Sequence, residues 1–200
     1  CRYDYVIPMD VIDMPRFGTY GMHPGALPDL QGLCSPFRAM EHGHARSGCT
    51  LFHLDAGLDT GPIVEIGWWP IDYGRSLLWN FVHTYFAGID TLLRHLPALE
   101  AGRELTTRRQ STEGRQYFSY PTETEFRSFT QKVAPLVLAE DYYEILSWFL
   151  QYLHNSSGMF PASSDFLPSM LLLFRRFLLP PEPVLLSFPV CSCKNPPCHF

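Results

Sequence analysis

Apolar and polar positions alternate in short blocks over the first half of the chain. Residues 48–54 (GCTLFHL) are short, β-branched and aromatic and predict a strand; residues 63–68 predict a second. Between them, residues 55–62 (DAGLDTGP) are rich in Gly and Asp and read as a loop. Upstream, the segment 18–22 leads into His23-Pro24-Gly25-Ala26-Leu27-Pro28, where two prolines enforce a loop. Residues 31–43 predict a short helix, with Pro36 near its first turn and Gly43 near its end. Residues 76–99 predict a long amphipathic helix. Leu77, Leu78, Phe81, Val82, Tyr85, Ile89, Leu92, Leu93 and Leu96 recur there at three-to-four spacing, and Gly102 closes it. Strand and helix patterns in one stretch place the fold in the α/β class.

The texture of the chain changes twice. Residues 1–105 carry these patterns, residues 106–150 are mixed and polar with aromatic anchors, and residues 151–200 are rich in Pro, Leu and Phe. The last stretch is expected to be a poorly ordered tail. Its apolar run 170–179, around Arg175 and Arg176, is too short to span a bilayer; an interfacial membrane patch is the alternative reading. The 200 residues are 46% hydrophobic and 18% charged, enough apolar material for a core and against wholesale disorder. The net charge of −5, with no basic cluster, argues against a grip on nucleic-acid phosphates. No transmembrane helix and no signal peptide are expected. The chain begins at Cys1 without a Met, which suggests a fragment or a processed chain. Cys1, Cys34 and Cys49 read as small core hydrophobes of a reducing compartment, which makes the cytoplasm the default; an organelle stays open if a leader is missing.

Candidate chemistry falls on two loops. His23 is held in a proline-flanked loop, and imidazole is the side chain whose unperturbed pKa lies near neutrality, which suits a general acid or base; the plain alternative is a solvent-exposed loop His. Asp59 lies in a turn where Gly57 and Gly61 allow a sharp reversal, and its carboxylate can pair with an imidazole; the alternative is an Asx-turn. Asp59-Thr60-Gly61 also matches the aspartic-protease triplet, but that chemistry needs a second carboxylate and the chain has no second copy. No metal is expected. His42-x-His44 and His53 lack a further convergent ligand. Cys191, Cys193, Cys198 and His199 have a spacing that fits no standard zinc pattern.

Taken together, these segments resemble the folate-dependent formyltransferase family. The motifs are His23-Pro24-Gly25-Ala26-Leu27-Pro28 with Gly32, then Ser35-Pro36-Phe37-Arg38-Ala39-Met40, Gly48-Cys49-Thr50-Leu51, and Asp55-x-Gly57-Leu58-Asp59-Thr60-Gly61-Pro62-Ile63. The pairing of an HP-x-x-LP loop with a D-x-G-x-DTG loop, His and Asp being thirty-six residues apart, is more specific than either loop. Arg75-Ser76-Leu77-Leu78-Trp79 and Tyr117-Phe118-Ser119-Tyr120-Pro121-Thr122 further resemble a less-characterised bacterial-type subgroup. The resemblance runs to about residue 145 and is absent from 151–200.

The resemblance implies the C-terminal half of a doubly wound, Rossmann-like domain in residues 1–105, with residues 106–150 packing on it as a family-specific extension. A parallel sheet buried on both faces would be marginal as a half. The implied reaction transfers a formyl group from 10-formyltetrahydrofolate to an amine. His23 would donate to the oxyanion, and Asp59 would keep the imidazole charged and accept a proton through water. Asp55, Gly57, Leu58, Thr60, Gly61 and Pro62 would line the folate pocket. Partners would be the folate and an amine, with an amino sugar or another small amine favoured over Met-tRNA; the oligomeric state is left open.

Two departures stand out. Gly21 occupies the position of the family's Asn, and loss of one oxyanion donor costs about 10²–10³ in kcat. The Gly-rich first half of the family's domain has no counterpart in the 22 residues ahead of His23. Three readings therefore stay open: part of an active formyltransferase, a catalytically impaired relative that binds folate or a partner, and an unrelated hydrolase or binding protein.

Overall fold

The computed structural model describes residues 7–111, 113 and 115–155. The chain divides into Cys1–Gln151 and Tyr152–Phe200. All of the elements belong to the first unit except the end of the final helix. Residues 151–155 belong to that helix. The run 170–179 and Cys191, Cys193, Cys198 and His199 lie outside the described residues, as does Cys1.

In chain order the elements are α1 (Met9–Ile12), β1 (Tyr20–His23), β2 (Gln31–Gly32), α2 (Ser35–Glu41), β3 (Arg46–His53), β4 (Ile63–Pro70), α3 (Leu77–Glu100), β5 (Tyr117–Phe118), α4 (Glu123–Lys132) and α5 (Ala139–Asn155). The α/β class holds. β1, β3 and β4 form one sheet in that order, antiparallel throughout, and β2 pairs with β5 in parallel. Parallel pairing is thus confined to the two-stranded sheet among the described residues. The register sets Gly21 against Phe52 and His23 against Thr50. On the other side of β3, the register slips between Leu51 and Phe52, which pair with Glu65 and Ile63 and leave Val64 as the extra residue of a bulge beside the 55–62 loop.

Two expectations need correction. His23 is not a loop residue: it closes β1 and is 6% exposed. Its strand is only four residues long, too short for an alternating pattern to reveal. The helix expected over 31–43 begins at Ser35. Gly32 at φ +92° and Cys34 at φ +57° cannot continue a right-handed helix backwards, and Pro36 sits in the first turn. Gln31 and Gly32 instead pair with β5.

The long helix is where expected, with Ser76 as its N-cap accepting from the Trp79 amide, and Gly102 (φ +71°) following its end. Its orientation is a surprise. The buried residues are Asn80, His83, Thr84, Ala87, Gly88 and Thr91, whereas Ile89, Leu93 and Leu96 are exposed. The cause is close approach to the sheet. A Cβ on Gly88 would lie 2.3 Å from Cys49 Sγ, and one on Gly67 of β4 would lie 2.2 Å from the Ala87 carbonyl. Large side chains do not fit where the helix crosses Cys49 and Gly67, so Thr84, Ala87, Gly88 and Thr91 take that part of the face. Thr84 and Thr91 satisfy their hydroxyls on the carbonyls of Asn80 and Ala87.

The remaining helices are tied on by charge and packing. Phe37 and Met40 of α2 pack with Phe129 and Ala134, Phe37 stacking on Phe129. Arg38, nearly buried, donates to Glu41 and Glu125 at 2.7 Å each and so links α2 to α4. Asp141 of α5, fully buried, accepts from the Ser76 amide at 2.7 Å and pairs with Arg75. Burial works against its charge, but Ser76 and Arg75 outweigh burial and hold its pKa below the usual carboxylate range. Burial pushes the Cys49 thiol up to about 12, so it is a core group, whereas Cys34 is only half-buried. Among the described residues no helix is long and apolar enough to cross a membrane.

Two measurements test this construction. The Thr50 hydroxyl, fully buried, donates to the Gly25 carbonyl at 2.6 Å and accepts from the Leu27 amide at 3.1 Å. Thr50→Val keeps the shape and strands both backbone groups, so urea denaturation should show a loss of about 1–3 kcal/mol. Glu125 stands at about 2, held down by Arg38 and then by Thr122. Its folded pKa lies below its unfolded one, near 4.3, so its contribution is complete above that value and vanishes as pH falls from about 4 towards 2. Glu125→Gln should flatten that part of the acid-unfolding curve and leave its alkaline part alone.

Candidate functional site

The two sequence-predicted residues meet. His23 Nδ1 lies 3.5 Å from Asp59 Oδ1, with the His buried and the Asp side chain 23% exposed. The imidazole enters from the end of β1 and the carboxylate from the connection between β3 and β4. The other ring nitrogen, Nε2, lies 2.7 Å from the Leu30 carbonyl and 3.1 Å from Ser35 Oγ. The second carboxylate oxygen, Oδ2, accepts from the Gly32 amide at 3.0 Å. Gly32 is required at that point: it holds φ +92°, and a Cβ there would stand 2.2 Å from the Phe118 carbonyl of the paired strand.

Asp59 itself has φ +55°, a left-handed conformation that Asp tolerates better than most residues. Its surroundings fix it there. The Asp59 carbonyl accepts from Gln31 Nε2 at 2.8 Å and from Gln110 Nε2 at 2.9 Å, and Gln110 also donates to the Gly61 carbonyl at 2.7 Å. Gln110 is brought there by a short antiparallel bridge between Ile63 and Arg108. Strain retained under such restraint is a mark of functional sites.

The other predicted loop residues divide by role. Asp55 Oδ1 accepts from the Gly57 amide at 3.0 Å and from the Thr60 hydroxyl at 2.6 Å, so Asp55 and Thr60 staple the loop. Added Cβ atoms on Gly57 and Gly61 would strike Thr60 and the His53 carbonyl, so both glycines serve its tight path. The Pro62 carbonyl accepts from the His53 amide and closes the loop. Leu58 is 55% exposed and presents apolar surface one residue from Asp59.

The carboxylate's titratable neighbour is an imidazole, which is not the shared-proton pair of an aspartic protease. His53 edges against Tyr20, and His42 and His44 stand 5.9 Å apart. Among the described residues no three His, Cys, Asp or Glu side chains converge as metal ligands would. Sequence reading missed Gln31, Gln110, Ser35 and the Leu30 carbonyl. The glutamines gave no signal, because nothing in their local sequence marks a residue that reaches 28 or 51 positions along the chain. Ser35 lay inside a quoted motif but stood out only once the helix was seen to start on it.

Residues 1–76 match a family model described as formyl transferase. The methionyl-tRNA formyltransferase of Ralstonia pickettii is 44% identical over 69 residues, 34% of this chain and 21% of that protein. That of a Bradyrhizobium species is 31% identical over 138 residues, 68% of this chain and 43% of the relative. The chain thus spans less than half the length of either. Among solved structures, the formyltransferase PseJ from Anoxybacillus kamchatkensis superposes with a TM-score of 0.56 at 18% identity, over 65% of this chain and 67% of that one. HypX from Aquifex aeolicus, in complex with tetrahydrofolic acid, gives 0.53 at 18%, over 62% and 21%. At such identities the structures speak for the fold. The resemblance to the folate-dependent formyltransferases is borne out by the family model and the curated relatives.

The clamp on Asp59 makes a direct prediction. Gln110→Ala removes two donors at once, so the amides of residues 57–61 should exchange with deuterium at least about fivefold faster, a step corresponding to one ordinary hydrogen bond. The exchange of β3 should not change.

Proposed function

We propose that this relative of the folate-dependent formyltransferases carries the formyl-transfer residues of such an enzyme: His23 as donor to the developing oxyanion and Asp59 as its charge partner and proton acceptor. The observation that carries the reading is the approach of His23 Nδ1 to Asp59 Oδ1 at 3.5 Å, from two motifs thirty-six residues apart in the chain. A charged imidazolium is the stronger donor to an oxyanion, and the Asp59 carboxylate stands where it would supply the counter-charge. The partial exposure of Asp59 leaves room for a water to relay the amine's proton.

A formylated folate fits the residues present. The loop 55–62 offers the exposed, apolar Leu58 one residue from Asp59, a surface suited to the face of a flat heterocycle. 10-Formyltetrahydrofolate would supply the formyl carbon; the chain would bind it and orient His23 and Asp59 towards that carbon. For the acceptor we favour a small amine, such as an amino sugar, over Met-tRNA. The net charge of −5 and the scarcity of clustered Lys and Arg support that choice. The free, buried thiol of Cys49 supports a reducing compartment, with the cytoplasm as default.

Gly21 favours a second reading, an impaired relative that binds without turning over. It sits two residues before His23, on the same side of β1, and provides no side-chain donor. An added Cβ would meet Leu54 Cδ2 at 2.8 Å, the end of a flexible side chain that can move aside, and the buried Phe52 ring at 3.1 Å, which must give by a few tenths of an ångström.

Thermal unfolding with and without folinic acid tests binding. A ligand at about a hundred times its Kd stabilises the native state by about 2.7 kcal/mol. The midpoint should rise, and rise less in Asp59→Asn; an unchanged midpoint would exclude the folate reading. A formyl-transfer assay then separates the two forms of the proposal. Gly21→Asn should raise kcat by about 10²-fold or more if a missing oxyanion donor is what limits the chain. A wild type already at full rate would contradict the impaired reading.

A further inference from the structure

The inner side of His23 is as fully specified as the side facing Asp59. Nε2 lies 2.7 Å from the Leu30 carbonyl oxygen, and a carbonyl can only accept, so Nε2 carries the proton. Ser35 Oγ stands 3.1 Å from Nε2 and 3.1 Å from the same carbonyl. With Nε2 protonated, the hydroxyl's single proton goes to Leu30, and its lone pairs face the ring N–H. One imidazole N–H is therefore shared between two acceptors, and those acceptors are tied to each other. Leu30, Ser35 and the ring are all nearly buried, at 3%, 1% and 6% exposure. The backbone is shaped around this contact. A Cβ on Gly25 would lie 2.4 Å from the Leu30 carbonyl, 2.6 Å from Nε2 and 2.7 Å from Ser35 Cβ.

We infer that Ser35, together with the Leu30 carbonyl, is a positioning element that commits His23 Nε2 to the protein and leaves Nδ1 as the nitrogen that serves substrate. This deepens the reading given under Proposed function by naming the atom. In the neutral ring of this tautomer, the Nδ1 lone pair would face the Asp59 carboxylate. Only the imidazolium gives both nitrogens an acceptor. At 3.5 Å, Nδ1 and Asp59 Oδ1 are further apart than the 2.7–2.9 Å of a tight charge-assisted bond, so the Nδ1–H of the held ring is open to share with an incoming oxyanion while its counter-charge stays beside it. Ser35 touches no reacting atom in this scheme; it acts through the ring.

Nitrogen-resolved NMR of the full chain labelled with ¹⁵N-histidine tests this, the His23 signals being assigned by their loss in His23→Gln. The wild type should show a slowly exchanging Nε2 proton at every pH where the chain is folded, with Nδ1 the nitrogen whose shift moves on titration. Ser35→Ala should speed exchange of that proton by about fivefold or more, the factor that one ordinary hydrogen bond represents, while the fold stays cooperative. In a formyl-transfer assay the same variant should lower kcat and leave KM for the folate unchanged. A bare Nε2 with protonated Nδ1 in the wild type would overturn the assignment, whether or not any variant folds. Exchange as slow in Ser35→Ala as in the wild type would remove Ser35 from it. A chain that binds no folate yet shows the expected wild-type spectrum would fail the functional reading and keep this one, so the two failures are distinguishable.

Discussion

The candidate site depends on the restraint of one residue. Asp59 is held by its Oδ2 on the Gly32 amide and by its carbonyl on the side chains of Gln31 and Gln110. Two stretches of chain converge on its loop: β2, and the segment that Arg108 anchors to Ile63. Without them, a carboxylate at the tip of a Gly-rich turn would sample many positions, and His23 would face none of them consistently. With them, a left-handed Asp is kept at a fixed distance from a buried ring. The cost of that backbone conformation is spread over bonds that also hold the turn, which is how a strained residue persists.

Everything else in the fold can be read as support for that pair. The antiparallel register of β1 on β3 puts His23 opposite Thr50, and Thr50 in turn fixes the 24–28 loop through Gly25 and Leu27. The loop returns Leu30 and Ser35 to the far side of the ring. α2 begins on Ser35, and its packing on Phe129 and its Arg38 link to Glu125 hold that start in place. On the opposite face of the sheet, α3 lies so close that glycines and small residues are obligatory. A sheet backed this tightly deforms little, which suits a pair of groups with no covalent link between them.

Much of this was legible in the sequence. Residue type and spacing singled out His23 and Asp59, and the family resemblance joined them. The two longer strands and α3 followed from composition and period. What escaped reading did so for physical reasons. β1 is too short for its alternation to register, and the backbone of Gly32 and Cys34 overrides a helical pattern that begins at Gln31. In α3 the distance between helix and sheet decides which face turns inward, and that distance depends on Gly67 of another strand. Gln31 and Gln110 matter only because tertiary contacts bring them to Asp59; amides with no local pattern are silent in one dimension.

The central claim is that the 55–62 loop and His23 form one binding unit for a folate. Amide chemical-shift mapping during titration with folinic acid addresses it most directly. The account predicts that the largest shifts fall at residues 57–61, Gly32 and His23, moving together along a single binding curve. Shifts confined to other elements, or none at saturating ligand, would contradict it.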